Sequence, residues 1–245
     1  MIAGNWKMHK TVSESVKMVS ALKSLVSGVS DREIVVAPPF TALLSTAEAI
    51  KGSNIRLSSQ DIFWEEKGAF TGEIAPSMLV DVGCACAIIG HSERRQFFGE
   101  TDGTVNKKIF AAFKVSLTPI VCIGETLLER EKGQTFSVLE RQLREGLKSV
   151  TKEQMIKIVI AYEPVWAIGT GMTATPAQAE EAHIFIRKTL AGVFGSEVAD
   201  NVRILYGGSV KPENISVLMD QQNIDGALVG GASLEAEMFA KIVKY

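Results

Sequence analysis

Hydrophobic residues along this chain gather in short runs separated by longer stretches of mixed polarity. Residues 34–37, 86–89 and 156–161 are almost continuously apolar. A strand with one face in water alternates apolar and polar residues, whereas a continuous apolar run is typical of a strand buried on both faces. These runs therefore predict strands of a parallel sheet that is covered on both sides.

The stretches between these runs have the periodicity of helices that pack by one face. In one stretch the apolar residues fall on a single side of a helix: Phe136, Leu139, Leu143, Leu147 and Val150. A second stretch shows the same spacing: Val105, Ile109, Ala112 and Phe113. Residues 11–14 and 175–178 have the form of capping boxes, the second with a proline at the first helical position. The pattern predicts helices between the strands.

Strand and helix signals repeat about every 32 residues, close to the length of one strand–helix step. The predicted strand ends are Lys7, Ala37, Gln60, His91, Cys122, Glu163, Tyr206 and Val229. Eight such units with no linker predict an α/β fold, a (β/α)8 barrel of parallel strands ringed by helices, as a single domain over residues 1–245. A doubly wound open sheet is the alternative, but residues 5–9 lack the glycine-rich turn that usually follows its first strand.

The composition argues against several classes of function. The 26 basic and 28 acidic residues give a net charge of −2 without runs of like charge, so neither nucleic acid nor an anionic membrane is an expected partner. Three cysteines are too few for a disulfide framework, and three scattered histidines form no metal-binding motif. No segment has the length of a membrane span or the apolar core of a secretory signal, so a cytoplasmic protein is expected.

Ionisable residues stand at three predicted strand ends, where a barrel of this kind carries its active site. Glu163 precedes an apolar segment with the composition of a lid, residues 164–171, and is the candidate general base. Lys7 suits an anionic substrate. His91 is expected beside a helix capped by Ser92, whose dipole would lower the pKa of the imidazole and keep it neutral. Each residue alone has an ordinary structural explanation, but their matching positions favour a catalytic site.

Glycine-rich segments follow the last two predicted strands. Residues 206–210 and 228–233 each contain a pair of adjacent glycines. Because glycine has no Cβ, backbone N–H groups can approach an anion closely, and barrels often bind phosphate after their seventh and eighth strands. Two ordinary turns are the alternative. The combination of position and composition predicts a phosphate site.

Several segments together resemble the triosephosphate isomerase family, in the order and spacing of that family from the first strand to the last. They are NWK (5–7), GAFTGE (68–73), GHSERR (90–95), AYEPVW (161–166), IGTG (168–171), YGGS (206–209) and LVGG (228–231). The last two are shared with many phosphate-binding barrels, whereas GHSERR and AYEPVW are specific to this family. The resemblance covers the whole chain.

The resemblance implies interconversion of dihydroxyacetone phosphate and D-glyceraldehyde 3-phosphate through an enediolate, in glycolysis and gluconeogenesis, without a cofactor or metal. By the family pattern Glu163 moves the proton and Lys7 stabilises the negative charge of the intermediate. His91 and Asn5 act at the carbonyl oxygens, and Glu93 is a supporting group. The phosphate would be held by backbone N–H groups of Gly169, Ser209, Gly230 and Gly231.

Residues 61–75 form a long predicted loop with apolar side chains that are expected to be exposed: Phe63, Trp64, Phe70 and Ile74. A monomer rarely presents such a loop to water. In the family this loop docks into a partner subunit, and Thr71 would reach the neighbouring catalytic pocket. A homodimer is therefore expected.

Other interpretations fit less well. A metal-dependent sugar-phosphate epimerase needs ligand histidines that are missing, and a Schiff-base aldolase needs a lysine where this chain has Glu163. A catalytically silent phosphate-binding barrel is disfavoured by the intact ionisable residues at the strand ends. Two positions, His9 and Met172, depart from the residues that the family often carries. His183 is expected to have only a structural role.

Overall fold

A closed barrel of eight parallel strands forms the centre of the computed structural model, which describes residues 1–168 and 172–245. The strands are β1 (Ile2–Asn5), β2 (Ile34–Ala37), β3 (Ile55–Ser59), β4 (Cys86–Ile89), β5 (Thr118–Ile123), β6 (Val159–Tyr162), β7 (Arg203–Tyr206) and β8 (Ala227–Val229). Each predicted strand end lies within two residues of an observed one. The prediction of a (β/α)8 barrel is confirmed.

The first strand closes the barrel by pairing on both of its edges. Gly4 lies opposite Val36 of β2 on one side and Val229 of β8 on the other. Alternate residues of each strand then face two different apolar layers: Val35 belongs to the cluster inside the barrel, and Val36 to the cluster between the strands and the helices. Both faces are dry, which explains why strands such as β2 and β4 are apolar throughout.

Helices follow the strands on the outside of the barrel. In chain order they are α1 (Val12–Val26), α2 (Leu43–Ile50), α3 (Pro76–Asp81), α4 (Ser92–Phe97), α5 (Asp102–Lys114), α6 (Leu127–Glu131), α7 (Thr135–Gly146), α8 (Lys152–Met155), α9 (Pro176–Phe194), α10 (Ser196–Asn201), α11 (Ile215–Met219) and α12 (Ala236–Val243). The two predicted capping boxes begin α1 and α9. The Thr11 N–H donates to Glu14 at 2.7 Å, and the Thr175 N–H donates to Gln178 at 3.0 Å.

The predicted helical faces lie against the barrel. Val105 and Ile109 of α5 are buried, as are Leu139 and Leu143 of α7. The α7 face was predicted to continue to Val150, and the helix ends earlier, although Val150 itself is still buried.

The long loop over residues 61–75 differs in part from the prediction. Of its apolar side chains Phe70 is 43% exposed, but Phe63, Trp64 and Ile74 are half-buried. The aromatic rings shield one another, since the Phe63 ring centroid lies 4.1 Å from that of Trp64 and 4.8 Å from that of Phe70. The expectation that all four are exposed is wrong, because a sequence pattern does not show stacking within a loop.

The described residues include no helix long and apolar enough to cross a membrane. The three cysteines are free and buried.

Candidate active site

The carboxyl ends of the strands surround a cavity of about 550 Å³. Most of the predicted site residues line it: Asn5, Lys7, His91, Glu163, Ser209, Gly230 and Gly231. Glu93 lines an adjoining cavity of about 1020 Å³ that shares Glu163 with the first. Thr71 is exposed on its loop and lines neither cavity. Gly169 lies outside the described residues.

Glu163 is held by contacts from His91 and Ser92, at the start of α4. It follows β6 directly and is only 2% exposed. One carboxylate oxygen, Oε1, lies 2.9 Å from Nε2 of His91, and the other, Oε2, accepts a hydrogen bond of 2.9 Å from the Ser92 N–H. The candidate base and the candidate electrophile are therefore in direct contact.

This contact shifts the titration of both groups. Burial alone would raise the pKa of Glu163, but the charge and hydrogen bond of His91 and the Ser92 amide hold that pKa below its usual value. Burial alone would lower the pKa of His91, but the charge and hydrogen bond of Glu163 raise it. The expected lowering of the His91 pKa is wrong for this arrangement, because the expectation considered the helix dipole and not the adjacent carboxylate.

The start of α4 also differs from the prediction. His91, rather than Ser92, is the N-cap residue, and its Nδ1 accepts a hydrogen bond of 3.2 Å from the Glu93 N–H. Histidine is not a common N-cap residue, so the sequence favoured the serine. A nitrogen that accepts a hydrogen bond carries no proton, so this bond requires a neutral ring with its proton on Nε2. The N–H of that ring then points at Glu163.

Lys7 is held in an uncommon backbone conformation at the end of β1. Its φ of +52° lies in the left-handed region, which a residue with a side chain seldom adopts. Two side chains hold the backbone there: Asn5 Oδ1 accepts from the Lys7 N–H at 3.0 Å, and Gln60 Nε2 donates to the Lys7 carbonyl at 2.8 Å. The Lys7 ammonium group lies 2.7 Å from Oε1 of Glu93. The sequence singled out Gln60 only as a strand end.

The glycine-rich loops leave little room for side chains. A Cβ on Gly207 would lie 2.9 Å from Cγ of Glu163, and one on Gly208 would lie 2.2 Å from Oη of Tyr206. The loop is tied down where Asn214 Nδ2 donates to the Ser209 carbonyl at 2.9 Å. After β8 a short 3-10 turn, Gly231–Leu234, begins at the second glycine pair. Both predicted phosphate loops thus border the cavity that contains the ionisable residues.

The sequence analysis missed a buried carboxylate whose partners lie on both sides of Glu163 along the chain. Glu125 is fully buried and accepts hydrogen bonds from Tyr162 Oη at 3.1 Å and from Trp166 Nε1 at 2.8 Å. Arg130 pairs with the same carboxylate at 3.1 Å. The only signal in the sequence was an acidic residue soon after the apolar run of β5. Glu125 connects the strand that precedes the base to the start of the lid segment.

Two positions depart from the family pattern. Both His9 and Met172 are exposed. Among the described residues no group of three or more His, Cys, Asp or Glu side chains is placed to hold a metal ion.

A closed barrel whose strand ends gather a carboxylate, an imidazole and an ammonium group beside glycine-rich loops belongs to the class of (β/α)8 enzymes. The family described as triosephosphate isomerase matches residues 1–245. The chain belongs to the triosephosphate isomerase family, whose members are aldose–ketose isomerases of glycolysis and gluconeogenesis. The expected family and enzyme class are confirmed.

Individual relatives match this chain over nearly their full length. The chain is 62% identical to a triosephosphate isomerase of Endomicrobium trichonymphae and 60% identical to one of Geotalea uraniireducens, in each case over all of this chain and 98% of the relative. The crystal structure of triosephosphate isomerase from Bartonella henselae superposes with a TM-score of 0.89 at 40% identity, over 98% of this chain and 96% of that chain.

Proposed function

We propose that this chain interconverts dihydroxyacetone phosphate and D-glyceraldehyde 3-phosphate by proton transfer on Glu163. The observation that supports this assignment is the meeting of Glu163, His91 and Lys7 in one cavity bordered by the two glycine-rich loops. A base, a hydrogen-bond donor and a fixed cation are the groups that proton abstraction next to a carbonyl requires.

Glu163 acts as the base. It removes a proton from the carbon that bears the hydroxyl group, the C–H electron pair forms the carbon–carbon double bond of the enediolate, and the carbonyl π pair moves onto its oxygen. The same carboxyl group then returns the proton to the former carbonyl carbon, while the hydroxyl proton passes to the former carbonyl oxygen and the other oxygen becomes the new carbonyl. The lowered pKa of Glu163 keeps the group ionised before the substrate binds. Its hydrogen bonds to Ser92 and His91 are then exchanged for contact with the substrate.

His91 donates a hydrogen bond from its Nε2–H to the substrate oxygens. While Glu163 faces the ring, that N–H points at the carboxylate. When Glu163 turns to the carbon, the N–H becomes available to the carbonyl oxygen, and the influence that raised the pKa of His91 is lost. Burial, which lowers the pKa, then dominates and keeps the ring neutral.

Lys7 stabilises the negative charge of the enediolate, and Asn5 assists at the same oxygens. Glu93 supports the site through its ion pair with Lys7, which holds the ammonium group beside the cavity. The phosphate is bound by backbone N–H groups of Ser209, Gly230 and Gly231, and by that of Gly169 on the family resemblance alone. Lys7 is close to this part of the site, since its Cε lies 3.6 Å from the position of a Cβ on Gly230.

We also propose that the barrel acts as one domain over residues 1–245, and as a cytoplasmic homodimer that docks through the loop 61–75. The loop exposes Phe70, and Thr71 beside it is exposed and lines neither described cavity. A further exposed apolar side chain, Phe98, lies near the start of the loop. Arg94 links the two, because it pairs with Asp61 at 2.8 Å and lies over the ring of Phe98. A second copy would cover these residues, with Thr71 reaching its catalytic pocket.

The assignment is tested by following dihydroxyacetone phosphate formed from glyceraldehyde 3-phosphate, with an NADH-consuming dehydrogenase as the coupling enzyme. We expect rapid turnover, and a loss of about 10³-fold or more in kcat for Glu163→Gln with phosphate binding retained. Glu197→Gln, which changes an exposed carboxylate on α10, is the matched control and should keep full activity. Turnover of Glu163→Gln near that of the control would exclude Glu163 as the base. Phosphate binding without any turnover would indicate a silent phosphate-binding barrel.

A further inference from the structure

We infer that His183 is a positioning residue. Its buried ring fixes the positions of Tyr162 and Tyr206, which directly precede the catalytic base and the phosphate loop after β7. This inference rests on the proposed roles of Glu163 and of the loop after β7. His183 lies on α9, is fully buried, and belongs to neither of the cavities described above. His183 takes no direct part in the proposed mechanism.

The first contact of the ring is with the strand that carries the base. The His183 ring meets Tyr162 edge-on, with centroids 5.9 Å apart and planes at 87°. Tyr162 is the residue directly before Glu163, and its hydroxyl group is fixed by Glu125, which also holds Trp166. A shift of the Tyr162 ring therefore moves the backbone of the base and the hydrogen bond that anchors the start of the lid segment.

The second contact is with the strand that carries the phosphate loop. The His183 ring centroid lies 6.5 Å from that of Tyr206. Tyr206 directly precedes Gly207, whose N–H donates to the Tyr162 carbonyl at 2.7 Å. The Tyr206 hydroxyl group lies against Gly208 so closely that a Cβ there would be 2.2 Å away. One imidazole thus supports two neighbouring strand ends that must keep a fixed distance between base and phosphate.

The orientation of the ring is set from α9 and from the segment before β8. His183 Nδ1 donates to the Asn223 carbonyl at 3.0 Å, and Asn223 is itself held by Glu180 at 2.7 Å and by Arg187 at 3.0 Å. The Nε2 atom has no hydrogen-bond partner within the described residues. A buried atom of this kind costs free energy, so packing of the ring against the tyrosines has to offset that cost. On this side the ring therefore packs as an apolar side chain would, and its contribution is to hold the two tyrosines in place.

Two substitutions separate the two functions of the side chain. His183→Asn keeps a donor for Asn223 but removes the ring, and His183→Phe keeps a ring but removes the donor. Each variant is assayed on glyceraldehyde 3-phosphate and on glyceraldehyde, which lacks the phosphate. Because remote binding of the phosphate contributes to catalysis only if base and phosphate loop are correctly spaced, we expect His183→Asn to lose about 10-fold in kcat/KM on the phosphorylated substrate and less than 2-fold on glyceraldehyde.

His183→Phe should retain the wild-type ratio of the two activities while unfolding at a lower temperature, since the Asn223 carbonyl loses its 3.0 Å bond to His183 and keeps only the longer one, of 3.4 Å, from Arg187 Nη2. Leu190→Ala, a buried position further along α9, is the control for general destabilisation and should leave the ratio unchanged. An unchanged ratio in His183→Asn would overturn the inference and leave His183 a purely structural residue. A wild-type protein that isomerises neither substrate would contradict the proposed function instead.

Discussion

At the scale of single residues, the contact between His91 and Glu163 decides the protonation of the site. The largest influences on the imidazole act in opposite directions: burial lowers its pKa, and the carboxylate 2.9 Å away raises it. The outcome therefore depends on where the carboxylate is.

Removing the charge of Glu163 should lower the pKa of His91. In Glu163→Gln the favourable charge interaction is lost while burial remains, so the imidazole should stay neutral to a lower pH than in the wild type. ¹⁵N NMR of histidine-labelled protein, recorded as a pH titration, measures this directly. Above the pKa of the wild type, the spectrum should show Nδ1 without a proton and Nε2 with one. An equal or higher pKa in Glu163→Gln would contradict the assignment of the cause.

The sequence identified many of these residues but not their contacts. Lys7, His91 and Glu163 could be found because ionisable groups at strand ends are unusual after apolar runs. The N-cap role of His91 could not, since it depends on the orientation of one ring. Glu125 was missed for a similar reason: a carboxylate becomes a buried anchor only when distant side chains, here those of Tyr162 and Trp166, converge on it.

At the scale of elements, the sequence predicts structure well wherever the same physical requirement recurs along the chain. Strands buried on both faces are mostly apolar, and helix starts need capped N–H groups, so the strands and the caps of α1 and α9 were predicted closely, whereas the cap of α4 was not. The loop over residues 61–75 has no such repeat. Its aromatic residues stack on one another, and only Phe70 remains exposed among them.

Two glycines with different surroundings should respond in opposite ways to alanine. At Gly124, which directly follows β5, a Cβ would lie 1.7 Å from the Glu163 carbonyl oxygen, so the backbone of the base must move. At Gly192, an exposed position within α9, a Cβ meets nothing within 4 Å. We expect Gly124→Ala to destabilise the protein by about 1–3 kcal/mol and to lower kcat. We expect Gly192→Ala to stabilise it by about 0.5–1 kcal/mol at unchanged activity.

Urea unfolding and the isomerase assay measure both variants. Since Gly124 sits against the base and Gly192 does not, the activity of the two proteins should differ even at temperatures where both are fully folded. Normal kcat in Gly124→Ala would show that the β5 end tolerates displacement and does not constrain Glu163.

At the scale of the whole molecule, assembly is expected to depend on the exposed part of the loop. The wild type should sediment at twice the chain mass of 26.5 kDa at micromolar concentration. Phe70→Asp places a charge on the exposed apolar side chain of the loop and should shift sedimentation toward the single chain. Val217→Asp makes the same kind of change on α11 and should leave assembly intact. Sedimentation of the wild type as a single chain would contradict the proposed homodimer.

The free energy of unfolding should also depend on pH through the titration of His183. Burial, together with the charge of Arg187, lowers the pKa of this histidine to about 4 despite its bond to Asn223, whereas the unfolded chain has an ordinary value near 6.5. Between these values the unfolded state binds a proton that the folded state does not. The free energy of unfolding should therefore fall as the pH drops below about 6.5, by up to about 3 kcal/mol near pH 4.

Urea unfolding at fixed protein concentration across this range tests the effect. Arg187 and Glu180 both bind Asn223, the partner of the ring, and Arg187 is paired with Asp225 at 2.6 Å. They are unchanged in His183→Phe, so the difference in slope between the two proteins isolates the histidine. Parallel slopes would mean that His183 takes up a proton in the folded state as readily as in the unfolded state.

The pairing of β1 with β8 has a consequence for how activity arises during synthesis. Lys7 follows the first strand and Gly230 follows the last, yet the register of Gly4 against Val229 makes them neighbours. A nascent chain that has released its first seven strands already carries Glu163, His91 and Lys7, but it has neither a closed ring nor the second phosphate loop. Activity should appear in a single late step, when the eighth strand leaves the ribosome and seals the ring, and not grow gradually with chain length.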